Sequence, residues 1–166
     1  MNRWIRVSIG AVLALGIGAA AASAQQQPRK LKESDLPEAV QKTATEQAGG
    51  AKVLAYWERE QDGGVIYEMD VDAGGHGKGV LMRPDGTVLA VQEEVSFDKL
   101  DASVQSGIKQ RAGEGKISKV YSVTQDGKVV RYVALVDNAG QKGKVVVGPT
   151  GEATGEAAGE AKPPSS

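Results

Sequence analysis

The sequence predicts an α+β protein of two tandem units, each with one helix followed by a three- to four-stranded antiparallel meander, and with the helices packed on one sheet face. Three observations predict this fold. First, a stripe of apolar residues with helical spacing occurs twice. Second, each stripe is followed by several segments in which apolar and polar residues alternate, as in strands. Third, this pattern repeats after 64 residues. The residues leave one alternative open, in which both meanders join into one continuous antiparallel sheet covered by two helices.

Residues 1–24 have the features of a signal peptide. Arg3 and Arg6 give a charged start, Ile9–Ala22 is an apolar run, and Ala22-Ser23-Ala24 is an A-x-A cleavage site. The run is shorter than the roughly 20 residues of a membrane-spanning helix. We therefore predict a periplasmic or secreted bacterial protein, cleaved after Ala24, without a stable membrane anchor afterwards.

A flexible lead-in over residues 25–33 precedes the first unit, which we place at residues 34–95. Ser34 or Asp35 can cap its helix, Pro37 is tolerated in the first turn, and Gly49-Gly50 ends it. Alternating residues then predict strands at Lys52–Glu60, Val65–Asp72, Lys78–Arg83 and Thr87–Val95. The second of these strands is predicted to have an apolar face with Val65, Tyr67, Met69 and Val71, and a more polar face with Ile66, Glu68, Asp70 and Asp72.

The second unit, residues 96–151, repeats this plan. Asp98 can cap its helix, and Gly113 and Gly115 can end it. Turns at Asp62-Gly63 in the first unit and Asp126-Gly127 in the second suit hairpins, because both residue types tolerate positive φ. The predicted strands are Lys116–Thr124, Val129–Asp137 and Lys144–Val147. Residues 152–166 are rich in Gly, Ala and Glu, so we predict a disordered tail.

The composition excludes several classes of protein. The chain has no cysteine, so it has neither disulfides nor thiolate metal ligands. Its formal net charge is −1, and its basic residues do not form the cluster that a nucleic-acid partner would require.

His76 is the only histidine, and it lies among glycines in a predicted turn. A catalytic histidine needs packing and a supporting partner, which such a turn does not supply. Asp70 and Asp72 share a strand face, but together with His76 they are too few ligands for a convincing metal site. The sequence therefore predicts no catalytic residue, no metal site, no cofactor and no enzymatic activity.

Aromatic residues suggest where a partner would bind. Tyr56 and Trp57 point to opposite faces of their strand, so at most one is buried under the helix, and the other should lie on the open face beside Leu54. The candidate partner-binding surface is Leu54, Tyr56, Trp57, Glu68 and Asp70. Residues that differ between the two copies, such as Trp57 against Tyr121, are the better guide to function.

Several short motifs carry a resemblance to a known family. They are Leu36-Pro37 with Val40, the hairpin from Glu60 through Asp62-Gly63 to Tyr67–Val71, and the turn Asp85–Val88. These residues resemble the PepSY family, and within it the PepSY-like relatives of the beta-lactamase inhibitor protein. The second copy keeps Asp126-Gly127, Tyr132 and Gly151, but it lacks the Leu-Pro pair and has Thr150 where Asp85 stands.

The resemblance covers roughly residues 34–151. It implies an exported, non-enzymatic binding or inhibitor module that engages a protein or peptide, a peptidase among the candidates, through an exposed sheet face or edge. It supplies no catalytic residue and no cofactor. If Lys144–Val147 is an exposed edge, a partner can add a strand there. The alternative function is a periplasmic stress or scaffold protein without a tight ligand.

Overall fold

The computed structural model describes residues 28–61 and 63–154. The predicted signal peptide, Asp62 of the predicted first hairpin, and the predicted tail after residue 154 lie outside the described residues.

Eight strands and two helices make up the described chain. In chain order they are β1 (Arg29–Leu31), α1 (Glu38–Ala48), β2 (Lys52–Gln61), β3 (Gly64–Ala73), β4 (His76–Met82), β5 (Val88–Val95), α2 (Ala102–Ala112), β6 (Lys116–Gln125), β7 (Lys128–Asn138) and β8 (Gln141–Val147). The strands follow one another across the sheet in the order of the chain, and each is antiparallel to its neighbour.

The predicted fold of two tandem helix-plus-meander units is wrong. β5 and β6 pair directly, from Val91 opposite Thr124 to Val95 opposite Val120. All described strands therefore belong to one eight-stranded antiparallel sheet, which two short helices accompany. The physical reason is that a strand at the end of a separate unit would leave a row of backbone N–H and C=O groups unpaired. Pairing β5 with β6 satisfies both rows and removes two edges.

The predicted flexible lead-in contains a strand. β1 pairs with β2, and its Leu31 lies opposite Tyr56 and is buried in the core. The Arg29 guanidinium also forms hydrogen bonds of 2.9 and 3.0 Å with both carboxylate oxygens of Glu58. Because only one of the three β1 residues is apolar, the strand has no alternation that the sequence could show.

Both helices begin later than predicted. Pro37 and Asp101 occupy the N-cap positions, and neither makes a side-chain capping hydrogen bond. Asp35 instead lies in a short 3-10 turn, where its Oδ2 accepts a hydrogen bond of 3.1 Å from the Lys32 backbone N–H. The predicted end of α1 is confirmed, since Gly49 has φ of 56° in the left-handed region.

Both helices cover the same face of the sheet. Val40 and Ala44 of α1 belong to one buried cluster, with Met69, Val71, Val80 and Met82 among its other members. Val104 and Ile108 of α2 belong to a second buried cluster, with Val120, Ala134, Val136, Val145 and Val147 among its other members. Dispersion and the removal of apolar surface from water hold each helix to the sheet.

Two turns that contain glycine pack closely against the helices. In the turn between β4 and β5, a Cβ on Gly86 would lie 2.6 Å from the Ala39 backbone oxygen, and the Thr43 hydroxyl donates a 2.9 Å hydrogen bond to the Gly86 carbonyl. In the turn after β8, Gly151 packs against the backbone of Gly107 in α2. Only glycine allows such close backbone contact, so these turns fix where each helix sits on the sheet.

Gly107→Ala should lower the free energy of unfolding by about 2–3 kcal/mol, because its new methyl group would overlap the Gly151 carbonyl. Gly143→Ala on β8 is the matched control, since a Cβ there meets nothing within 4 Å. Urea unfolding followed by circular dichroism measures both. Equal stability of the two variants would contradict the close contact.

Candidate functional site

No helix of the described residues covers the sheet face opposite α1 and α2, which we call the open face. Cross-strand register assigns side chains to it, because directly paired residues share a face. Glu68 pairs with both Trp57 and Leu81, and Gln92 pairs with both Gly79 and Val123. The polar and aromatic side chains of the open face include Trp57, Arg59, Glu68, Asp70, Gln92, Glu94, Lys119, Tyr121, Arg131 and Lys144.

The open face is concave. Glu68 and Gln92 are only 1% and 3% exposed, although no described helix covers them. In a flat sheet, β2 and β8 would lie six strand spacings apart, or about 29 Å. Burial lowers the pKa of Lys144 on β8, and the charge of Arg59 on β2 lowers this pKa further. The two charges therefore interact across the face, which requires that the ends of the sheet curl towards each other.

A buried ion pair lies on β2 and β3. The Arg59 guanidinium contacts the Glu68 carboxylate, and their side chains are 12% and 2% exposed. Burial lowers the pKa of Arg59, and the nearby Asp70 carboxylate opposes this effect. Losing water around both charges costs free energy, which their mutual attraction offsets only in a fixed geometry. The pair therefore holds this part of the face in one arrangement.

Trp57 is held in place by the next carboxylate along β3. Its indole Nε1–H donates a 2.9 Å hydrogen bond to Asp70 Oδ2. The indole satisfies its donor in this way while part of its ring remains accessible. The result is a fixed, half-buried aromatic surface on the concave side of the sheet.

Glu94 and Tyr121 form the second part of the site, on β5 and β6. Glu94 Oε2 accepts a hydrogen bond from Lys119 Nζ and another of 3.2 Å from the Gly77 backbone N–H. The Tyr121 ring reaches over Gly77, where a Cβ would lie 3.7 Å from Tyr121 Cε1. Burial, followed by the charges of Glu94 and Asp70, raises the pKa of Tyr121 to about 12.

Gln92 has an unusual environment. Its side-chain Oε1 is buried and has no hydrogen-bond partner among the described residues. Its register neighbours on this face are Gly79, which has no side chain, and Val123, which has no polar atom. Because nearly all buried polar atoms are hydrogen-bonded in folded proteins, this amide marks a site that calls for an explanation.

The structure brings together three of the five residues predicted for partner binding. Trp57, Glu68 and Asp70 lie side by side on the open face. Tyr56 is only 9% exposed and lies in the core with residues of α1, so it is not part of this surface. Leu54 is 40% exposed but has no partner in the register with β3, because the strand is irregular between Val53 and Ala55. The predicted position of Trp57 beside Leu54 on one face therefore has no support from the pairing of β2 with β3.

Other residues of the open face were missed. Arg59, Gln92, Glu94 and Lys119 are common polar residues of strands, and nothing in the sequence distinguishes them from a solvated face. Tyr121 carried one signal, since it replaces Trp57 at the equivalent position of the second copy.

His76 lies exposed at the beginning of β4. Among residues 28–61 and 63–154, no group of three or more His, Cys, Asp or Glu side chains is arranged to hold a metal ion. Within the same residues, neither helix is long and apolar enough to cross a membrane.

Comparison with known proteins identifies the fold. No protein-family model and no curated protein matches the chain. A Bacteroides eggerthii protein inferred to be periplasmic is 20% identical with a TM-score of 0.58, over 70% of this chain and 84% of its own. A BLIP-like protein from Bacteroides fragilis is 17% identical with a TM-score of 0.57, over 76% of this chain and 89% of its own. A DUF2874 family protein from Bacteroides ovatus is 22% identical with a TM-score of 0.54, over 70% and 82%.

These similarities show that the chain has a BLIP-like fold, which confirms that part of the predicted resemblance. Membership of the PepSY family is not confirmed, since no family model matches.

The raised pKa of Tyr121 predicts a specific loss of stability at high pH. The folded protein keeps the phenolic proton up to about 12, whereas an unfolded tyrosine releases it near 10. The free energy of unfolding therefore falls as the pH rises from about 10 to about 12, and the loss at pH 11 is roughly 1 kcal/mol or less, because water partly screens the half-buried phenol. Urea unfolding of wild type and Tyr121→Phe at pH 8 and pH 11 measures it. The variant should lose less stability, and an equal loss would contradict the assigned environment.

Proposed function

We propose that this chain is an exported, non-enzymatic binding or inhibitor module of PepSY-like type, which engages a protein or peptide through its open face. One observation carries the proposal: Trp57, whose indole N–H is hydrogen-bonded to Asp70, and Tyr121, whose ring packs over Gly77, lie half-buried on a concave face that no described helix covers. Tryptophan, tyrosine and arginine dominate the binding energy of protein interfaces, especially where they are already ordered.

The face is a better binding surface than the edges of the sheet. β1 is three residues long, so it offers few backbone groups to an added strand. At the other edge, Ala153 bridges only Val147, the last residue of β8, which restricts strand addition at that end of the strand. Short or covered edges discourage strand addition. We therefore favour binding by side chains on the open face over addition of a strand to β8.

Location and partner class complete the proposal. The signal-peptide features of residues 1–24 and the similarity to a protein inferred to be periplasmic support a periplasmic or secreted location. The similarity to a BLIP-like protein supports an inhibitor or binding role. The PepSY resemblance adds peptidases as a candidate class of partner.

Substitution on the open face should weaken binding of the partner. Trp57→Ala and Tyr121→Ala should each weaken binding by roughly 30-fold, which corresponds to the loss of about 2 kcal/mol at an interface hot spot. The measurement is retention of a partner from an extract of exported proteins on the immobilised chain, followed by titration of the purified partner.

Gln110→Ala, on the exposed surface of α2, is the matched control and should bind like wild type. A partner that binds both open-face variants as tightly as wild type would refute the proposed surface. If wild type retains no saturable partner, the stress or scaffold role without a tight ligand becomes the better description.

A further inference from the structure

Basic residues dominate the half of the sheet that contains β6, β7 and β8. These three strands contain six Lys or Arg residues and one acidic residue, Asp137. Strands β2 to β5 have the opposite balance, with three Lys or Arg residues and seven Asp or Glu residues. The formal net charge of the whole chain, −1, therefore conceals two halves of the sheet with opposite charge.

Most of these basic side chains lie on the open face. Directly paired residues share a face, so Lys119 and Lys144 lie on the same face as Leu135 between them. Ala134 and Val136, the sequence neighbours of Leu135, belong to the core under α2, so Leu135 itself faces the open side. The same register and alternation place five basic side chains on the open face: Lys116, Lys119, Arg131, Lys142 and Lys144. These residues are dispersed along the sequence, and the fold gathers them on one surface.

Nearby carboxylates offset only part of this positive charge. Glu94 of β5 pairs with Lys119. Asp137 Oδ1 accepts a 2.7 Å hydrogen bond from a backbone N–H of the following turn. Burial and the charge of Arg59 lower the pKa of Lys144, so the free protein stabilises the charged form of this lysine poorly. A carboxylate from another molecule would offset both effects.

Apolar side chains lie between the cations. Tyr121 pairs with Val133, and Val133 pairs with Val146, so the three residues form a row across β6, β7 and β8. Leu135 lies in the next row, between two lysines. Val133 and Val146 belong to an apolar cluster that is separate from the two clusters under the helices. A surface that fits this half of the face therefore needs apolar side chains next to carboxylates.

The shape of the face favours a different protein over a second copy of this chain. A second copy could bring its acidic strands opposite the basic ones. Two concave faces, however, would touch at their rims and leave a gap, which forfeits the close packing of a stable interface. A protruding acidic segment of another protein fills the concavity and meets the same charges.

We propose that the open face of β6, β7 and β8 docks an acidic segment of the partner protein that presents carboxylates and an apolar side chain on the same side. Lys142 and Lys144 attract the carboxylates, while Leu135 and Val146 contact the apolar side chain. The proposal rests on the proposed function, because it names the chemistry of the partner that the open face recognises.

Heteronuclear NMR of the isotope-labelled full chain can test the site with the peptide acetyl-Glu-Ser-Leu-Ser-Glu-amide as the probe. In an extended peptide the two glutamates and the leucine lie on one side, because the side-chain period of a strand is two. The methyl signals of Leu135 and Val146 should shift saturably during the titration. The neutral peptide with glutamine in place of both glutamates should bind at least about 10-fold more weakly. Sodium chloride at about 0.5 M should weaken binding of the acidic peptide and leave the neutral one unchanged.

Charge variants provide a matched comparison. Lys142→Gln combined with Lys144→Gln should weaken binding of the acidic peptide by roughly 10-fold. Lys42→Gln combined with Lys109→Gln is the control, because it changes the net charge equally but lies on the exposed surfaces of α1 and α2. It should change the affinity by less than about 2-fold, since exposed charges at that distance are screened. Circular dichroism checks that both variants keep the fold. Lys142→Gln alone, at an exposed position, replaces the pair if the double variant unfolds, and it should weaken binding by about 3-fold.

Two further probes test the apolar contact and the class of partner. The peptide with glycine in place of leucine keeps both charges and should bind about 5-fold more weakly. Equal binding would show attraction by charge alone and would overturn the proposed docking site. Tighter binding of an oligodeoxythymidine of eight nucleotides than of the acidic peptide would overturn it in favour of a nucleic acid.

The outcomes distinguish this site from the proposed function. Absence of a saturable shift, equal binding of the neutral peptide, or wild-type affinity in the Lys142 and Lys144 variants would overturn the acidic docking site. If capture of the partner protein still depends on Trp57 and Tyr121 in that case, the binding module stands with a partner of different chemistry. If that dependence is lost as well, both proposals fall.

Discussion

Pairing between β5 and β6 is the interaction on which the rest of the structure depends. Five residue pairs join the two strands and make one sheet from two similar stretches of chain. The helix that connects them, α2, must then return to the side already occupied by α1, because its apolar residues need the same sheet face. The opposite face becomes one surface from β2 to β8, so Arg59 and Lys144 interact across it. The concavity is therefore a property of the joined sheet, and Glu94 and Tyr121 meet across its junction.

Curvature explains how charged side chains can be buried without a second layer above them. On a concave face, neighbouring side chains converge and shield one another from water. Glu68 is therefore buried beside Arg59 although no described helix covers this face of β2 and β3. Such pairs contribute little net stability, because desolvation offsets most of the attraction. The fixed contacts of this face supply order instead: Trp57, hydrogen-bonded to Asp70, would lose little conformational freedom on binding. A preformed surface of this kind suits recognition more than support of the fold.

Local pattern allowed much of the sheet to be predicted, and its limits have a physical cause. Alternation in β3 separated Met69 from Glu68 and Asp70, since the side-chain period of a strand is two. The turn at Asp126-Gly127 was also predictable, because both residues have positive φ. Pairing between β5 and β6, burial of Gln92, and the approach of β8 to β2 depend on residues that are distant in sequence, so no local window contains them. For the same reason β1 could not be predicted. Leu31 is its single apolar residue, and its pairing with Tyr56 joins residues that are distant in sequence.

The surroundings of the turn glycines predict that the two ends of the sheet differ in how well they tolerate insertions. At one end, the hairpin turns around residues 73–76 and 138–141 have glycines whose surroundings are empty. At the other end, Gly86 and Gly151 lie against helix backbone. Extra residues in the first pair of turns would extend into solvent at a small loop-entropy cost. Extra residues in the second pair would push a helix away from the sheet. Peptide tags, fluorophores or tethers therefore belong at the first end, where they leave the packing of Gly86 and Gly151 against the two helices undisturbed.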